Sequence, residues 1–321
     1  MTGNNTTPAE KLRAVFLAVL MVGSVFTVGV AFSGTAAAAN AGVNPTATDV
    51  TVAPSSSGTP LSLEYTDSSN DKEQLTIDEI ELTKTSGSLT ASDVDQIQLQ
   101  IGGQTVATAS SVSDLSSVTF GTDAEFASSN GAFSNTDVDS DEQDELVLDD
   151  AGTEAIDVVV FADSGADAGD YEFDATTTAI NAPENFGGSN TNTVSSGTFS
   201  IDTSAPSVDS DNVGTADTNG DGQVDLVYVS FSEDLSDAGA ASDYTVTLGG
   251  EEIDVSSADV SGLDASSVDL TLDTNDENLP EFDTSIEPEV TVSADAVTDQ
   301  SGNTGPSSET TVTAADKAEP A

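Results

Sequence analysis

The stretch DQIQLQIGGQTV, residues 95–106, alternates strictly and then turns. Successive side chains of an extended chain point to opposite faces, so Ile97, Leu99 and Ile101 share one side and the glutamines the other. The pair Gly102-Gly103 follows at once, and glycine supplies the positive φ that a two-residue hairpin turn requires. VTLGGEEIDV repeats the arrangement around Gly249-Gly250 in the other half of the chain. YEFDA alternates through Tyr171, Phe173 and Ala175. LTIDEIEL alternates through Leu75 and Ile77, then slips phase to Ile80 and Leu82, which places a bulge near Glu79. IDVVVFAD, residues 156–163, is apolar on both faces and reads as a central strand. Phe161, Phe173, Phe199 and Phe231 read as core positions, and no segment carries the period of an amphipathic helix. Short strands punctuated by Gly, Ser, Asp and Asn predict an all-β chain of two β-sandwich domains in tandem.

Charge decides the environment. The 321 residues hold 58 acidic side chains against five basic ones, for a formal net charge of −53. Beyond the N-terminus only Lys72, Lys84 and Lys317 are basic. Such a chain repels itself at moderate ionic strength, whereas at 1 M salt the screening length falls to about 3 Å. Apolar residues make up 36% of the sequence and recur in alternation, which favours a folded halophilic protein over an acidic disordered one. Nucleic-acid binding is excluded, since it rests on basic side chains neutralising phosphate. Zero histidines and zero cysteines remove the commonest general base, the usual zinc ligands and all disulfides.

Residues 11–39, KLRAVFLAVLMVGSVFTVGVAFSGTAAAA, set a short basic region before an apolar stretch and end in small residues suited to cleavage near Ala38 or Ala39. Residues 1–39 therefore read as a signal peptide, with a retained anchor as the alternative. The wording of this segment resembles the leader of haloarchaeal cell-surface glycoproteins of the S-layer class, which implies export to the cell envelope. Sequons occur only at Asn4 and Asn5, ahead of the apolar stretch. The closing AADKAEPA lacks the apolar helix and basic tail that anchor such glycoproteins, so no transmembrane anchor is expected in the mature chain. Release, non-covalent attachment and truncation all remain open.

SIDTSAPSV, residues 200–208, marks a boundary: the first domain is read as 40–203 and the second as 204–314, followed by a polar tail at 315–321. Residues 130–145 and 183–192 read as long loops of the first domain. The second domain resembles the bacterial and archaeal Ig-like domains of surface proteins. The likeness rests on an entry at Ala205–Val208, a D-x-N-x-D-G-x-x-D loop at Asp217–Asp225, a V-x-F-S-E-x-L strand end at Val229–Leu235, and a closing D-x-x-G-N at Asp299–Asn303. That family implies an Ig-like sandwich used as spacer, stalk or adhesive module, without catalysis.

The loop raises the one metal question. Asp217, Asn219 and Asp221 stand at positions 1, 3 and 5 of an EF-hand-like loop, Gly222 at the turning position, Gln223 at 7 and Asp225 at 9. Position 12 is Tyr228 instead of a bidentate acid, so a true EF-hand is excluded. What remains is an incomplete oxygen cage for Ca²⁺, completed by water or by Glu233 or Asp234; the competing reading is an acidic surface turn. The run Asp137–Glu145 lacks a turning glycine and reads as a solvated loop. No residue pattern marks a catalytic centre, although two carboxylates alone suffice for glycoside hydrolysis. The expectation is a secreted, non-catalytic structural or adhesive protein of the cell envelope, S-layer-associated, partnered by envelope proteins or glycans and by divalent cations. The alternative is an extracellular carbohydrate- or partner-binding module, and a carboxylate hydrolase is the third possibility.

Overall fold

The structure is a computed structural model that describes residues 43–66, 75–110, 112–121, 126, 133–136, 145–148, 152–181, 190–262, 264–280 and 285–318. The signal segment at 1–39, with the leader resemblance it carries, lies outside the described residues, as do Lys72 and most of the acidic run from Asp137. The described chain is built from β-strands, joined by one short 3-10 turn at Ala241–Asp243. It divides into two compact units. The first is built on Gly58–Val160 and Asp170–Ser200 with the strand before Val50; the second holds Ile201 onward together with Thr51–Ser57 and Phe161–Gly169.

The first thirteen strands are β1 (Val43–Ala47), β2 (Val50–Val52), β3 (Ser57–Thr66), β4 (Thr76–Ser86), β5 (Val94–Ile101), β6 (Gln104–Ser110), β7 (Ser117–Phe120), β8 (Phe133–Thr136), β9 (Glu145–Leu148), β10 (Thr153–Ala162), β11 (Gly169–Asn181), β12 (Thr191–Ser195) and β13 (Phe199–Ile201). One sheet runs β1-β3-β10-β5-β6 and the other β2-β13-β11-β4-β9-β8, with β12 beside β11 and β7 beside β4. Their apolar faces meet. Leu61, Leu63, Ile97, Leu99, Ile101 and Val158 from the first sheet are buried, as are Ile77, Leu82, Phe173 and Ala175 from the second. The Tyr65 hydroxyl on β3 meets the Thr177 hydroxyl on β11 at 2.7 Å, and the Tyr65 ring packs edge-on against Phe133 of β8 at 6.0 Å. Both contacts join the two sheets.

The local readings find their causes here. Gly102 (φ 56°) and Gly103 (φ 78°) turn β5 into β6, with both glycines left-handed as the tight hairpin demands. Along β4 the pairing passes from Glu79↔Thr178 to Ile77↔Ala179, so Asp78 is the extra residue of a bulge. That bulge lets Ile77 and Ile80 face the same interior. β10 is the central strand of its sheet, and Val159 on its second face is only 7% exposed.

Some readings need correction. Phe161 is half-buried and outside the core, because it shares the phase of Val159, while Ile156, Val158, Val160 and Ala162 point inward. The region 130–145 is not loop throughout: Phe133–Thr136 pairs with β9, since Phe133 has an aromatic partner inside the sandwich. Thr191 and Asn192 likewise belong to β12, paired with β11.

The second unit carries β14 (Val208–Ala216), β15 (Leu226–Phe231), β16 (Leu235–Asp237), β17 (Tyr244–Leu248), β18 (Glu251–Ile253), β19 (Val255–Val260), β20 (Ser267–Leu272), β21 (Glu289–Val292), β22 (Val297–Asp299), β23 (Thr304–Gly305) and β24 (Thr310–Thr313). One sheet runs β14-β15-β20-β19 and the facing one β18-β17-β21-β24. Setting aside β16, β22 and β23, which form a small third sheet, the remaining strands follow immunoglobulin order: A-B-E-D against C′-C-F-G. A single apolar cluster joins Val227, Val229 and Leu270 of the first sheet to Val246, Val290 and Val292 of the second. Gly249 (φ 65°) and Gly250 (φ 92°) make the β17–β18 turn. The Tyr244 hydroxyl donates to the Ala238 carbonyl at 2.6 Å, tying the start of β17 to the chain before it.

Candidate functional site

The loop between β14 and β15 holds all five residues that the sequence marks for metal. Its oxygens are turned onto its own backbone. The Asp217 carboxylate accepts the N–H of Gly220 at 2.7 Å and of Gly222 at 2.8 Å. Asn219 Oδ1 accepts the Asp221 N–H at 2.8 Å, and Asp221 Oδ1 the Gln223 N–H at 3.0 Å. The Gln223 side chain reaches the Thr274 carbonyl at 3.4 Å. Asp225 binds the Thr218 N–H at 2.8 Å and its hydroxyl at 2.7 Å. Desolvation pushes the Asp217 pKa up, but the N–H groups of Gly222, Gly220, Asp221 and Asn219 together hold it below the usual aspartate value. Gly220 (φ 74°) and Gly222 (φ 91°) adopt left-handed backbone there. Val224 anchors the loop by inserting into the core. Tyr228 lies inside β15.

Among the described residues, the carboxylates that do converge are Asp202, Glu233 and Asp299, with one oxygen from each lying within 4.8 Å of the others. Two stand in the motifs and the third just ahead of one. Asp202 precedes the Ala205-Pro206 entry, and its N–H donates to the Val52 carbonyl at 2.9 Å. Glu233 is the glutamate of the V-x-F-S-E-x-L run, where Phe231 and Leu235 are buried on either side of it. Asp299 opens the D-x-x-G-N turn and is only 2% exposed. Its Oδ1 accepts the N–H groups of Ser301 (2.8 Å), Gly302 (2.6 Å) and Asn303 (2.8 Å), while Asn303 Nδ2 donates to Oδ2 at 3.0 Å. Gly302 takes φ 103°, which a side chain would strain, so the Gly-Asn of the motif is the cradle of its own aspartate. Asn303 Nδ2 also donates to the Asp202 carbonyl at 3.1 Å, and Ser301 Oγ to Asp202 Oδ2 at 3.1 Å.

Three acids so close raise the energy of the fully ionised state. Desolvation, the charges of Asp299 and Asp202, and a hydrogen bond to Asp299 push the Glu233 pKa above the usual glutamate value. Either a proton on Glu233 or a hard cation relieves that repulsion, since oxygen-rich carboxylate sets suit Ca²⁺. Sequence reasoning named Glu233 only as an auxiliary to the loop and missed Asp202 and Asp299 as possible ligands. Glu233 and Asp299 stand in the quoted motifs and Asp202 three residues ahead of one, but nothing in their spacing shows that they meet.

No family model matches the sequence, and neither does any curated protein. Among solved structures, the chain is similar to the N-terminal part of the bacterial S-layer protein SbsC, with 19% identity over 35% of this chain and 24% of that one, at TM-score 0.25. The chain thus spans about a quarter of that structure's length (24%). It is also similar to the Escherichia coli chaperone DraB (13% identity, 86% of this chain, 98% of that one, TM-score 0.20). A third similarity is to the C-terminal domain of the Streptococcus agalactiae AgI/II polypeptide BspA (10% identity, 86% and 96% covered, TM-score 0.25). At these TM-scores the likenesses carry no functional information.

Proposed function

We propose that this chain is an exported, non-catalytic structural or adhesive protein of a halophile's cell envelope, associated with a surface layer. The observation that carries the reading is a net charge of −53 on a chain built of sandwiches. Both lysines among the described residues are taken up by internal contacts: Lys84 Nζ donates to the Leu89 carbonyl at 2.7 Å, and Lys317 sits over the Tyr228 ring. Such a molecule suits a spacer or adhesive module in brine, and its carboxylates suit divalent cations. Calcium stiffens it in this reading, at the Asp217–Asp225 loop or at Asp202, Glu233 and Asp299. Envelope proteins or glycans are the partners. The reading is non-catalytic, and what supports it is that Asp299 is held by three N–H groups of its own turn and Asp202 by the Ser204 N–H at 2.9 Å.

The test is immunogold labelling of intact cells, with protease shaving of the surface as its complement. Label on the envelope, lost on shaving, is expected. Protein confined to the cytoplasm, or recovered solely from culture supernatant, overturns the envelope assignment.

A further inference from the structure

Lys84, on β4, is the one lysine among the described residues of the first unit, and it stands in the wall of an open cleft. The cleft has a volume of about 530 Å³ and lies between two turns, residues 90–92 ahead of β5 and residues 113–116 ahead of β7. Pockets for small organic ligands run to roughly 300–1,000 Å³. Both turns are held by the fold. Leu89 and Leu115 at their bases are buried. The Leu89 N–H donates to the Asp170 carbonyl at 3.0 Å, and the Lys84 N–H donates to the Ser116 carbonyl at 3.1 Å. Asp93, 6% exposed, accepts the Thr90 N–H at 2.7 Å and its hydroxyl at 2.6 Å. Asp114 Oδ1 accepts the Ser116 N–H at 2.8 Å.

The lining combines a donor and an acceptor of opposite charge. An ammonium has three donors, and Lys84 Nζ uses one on the Leu89 carbonyl at 2.7 Å. The N–H and hydroxyl of Ser116, followed by the Lys84 charge, hold the Asp114 carboxyl below the usual aspartate value, so it is an ionised acceptor at neutral pH. Lys84 and Asp114 share the cleft without closing into an ion pair. A donor and an acceptor held apart in this way suit a ligand that offers an acceptor and a donor on adjacent atoms. Neighbouring hydroxyls of a pyranose ring do so: one accepts from Lys84 while the next donates to Asp114. A polyanion does not fit, because Asp114 and the acidic chain around it repel one. Hydrogen bonds made at contact also survive brine, where fields are screened beyond about 3 Å at 1 M salt.

We propose that this cleft binds a neutral hexopyranose unit of an envelope glycan, with Lys84 and Asp114 as its two recognition groups. The source of the glycan rests on the envelope reading above; the cleft gives that reading a binding site.

The test uses the full chain in molar NaCl at neutral pH, titrated with the methyl pyranosides of glucose, galactose and mannose and followed by saturation-transfer NMR. At least one of the three is expected to bind. Lys84→Met, which keeps the apolar stem, and Asp114→Asn are each expected to weaken that binding about ten-fold or more, the worth of a hydrogen bond to a charged group. Ala91→Phe adds bulk to the half-buried lining and removes no side-chain hydrogen bond, so it is expected to abolish binding while melting near the parent. Should any variant fail to fold, the remaining two decide. No binding of any of the three sugars by the parent overturns the proposal, as does parent-like affinity in Ala91→Phe or in either charge variant. Methyl glucuronide binding more tightly than the glucoside, and surviving Asp114→Asn, makes the ligand an anion and also overturns it. Immunogold labelling separates this outcome from the envelope reading. A labelled envelope with a silent cleft removes the site alone, and a sugar-binding chain confined to the cytoplasm removes the envelope alone.

Discussion

Replacing Tyr65 by phenylalanine removes one oxygen from the centre of the first unit and leaves the packing in place. The ring remains against Phe133, because the edge-on contact at 6.0 Å does not involve the hydroxyl. The Thr177 hydroxyl, on a residue 2% exposed, loses its partner at 2.7 Å on the opposite sheet. Leaving a buried polar group unpaired costs about 1–3 kcal/mol, more than the net worth of the bond itself. For a unit of this size each kcal/mol shifts the melting temperature by roughly 2–4 °C, so a drop of about 2–12 °C is expected in calorimetry. Thr177→Val should cost a similar amount by stranding the tyrosine hydroxyl. The double variant should recover much of the loss, because both partners are then apolar. The coupling should be independent of salt, since neither group is charged. Burial pushes the Tyr65 pKa up, only partly offset by the bond to Thr177, so it should also be independent of pH through neutrality. A melting temperature unchanged in Tyr65→Phe, or additive losses in the double variant, would refute the face-to-face packing of these two sheets at this point.

Tyr171 offers the converse. Its buried hydroxyl has no hydrogen-bond partner among the described residues, so Tyr171→Phe should stabilise the first unit by about 1 kcal/mol, read as a higher melting temperature. At the acid trio, the Glu233 pKa is raised above 4.5, so its stabilising contribution is complete below that value and is lost as pH rises through the higher folded pKa. Glu233→Gln should therefore melt higher than the parent at pH 7 without divalent ions, and the gap should close as pH falls through the raised folded pKa toward 4.5; a gap that widens would contradict the trio's repulsion. Calcium at about ten times its Kd should add about 1.4 kcal/mol to the parent's second unit in molar NaCl. Loss of that gain in Glu233→Gln assigns the ion to the trio, loss in Asp217→Asn assigns it to the β14–β15 loop, and no gain in the parent removes calcium from the account.

Much of the architecture was legible because it is written at short range. Ile97, Leu99 and Ile101 reveal their shared face by alternation, and the two Gly-Gly pairs reveal their turns by the φ they permit. The bulge at Asp78 shows as a slipped phase, read in the sequence one residue away at Glu79. Convergence at long range left no such trace. Asp202 and Asp299 meet only because the entry strand and the D-x-x-G-N turn end at the same corner, and no spacing encodes that. The C-terminal segment misled by its composition: residues 315–321 read as a polar tail, yet Ala318, like Ala314 just before the tail, belongs to the core cluster, and Lys317 lies over the Tyr228 ring. Phe161 misled by size, since a large apolar residue in a two-faced strand can fall on the less buried face.

The most direct measurement is X-ray scattering with circular dichroism on the purified chain, titrated from molar NaCl to dilute buffer without divalent ions. A fold that tolerates a charge of −53 only through screening should be compact and β-rich in brine, then expand and lose its sheet signal as salt is withdrawn. A chain that keeps its radius of gyration and its spectrum in dilute buffer would contradict that dependence and, with it, the placement in a saline envelope.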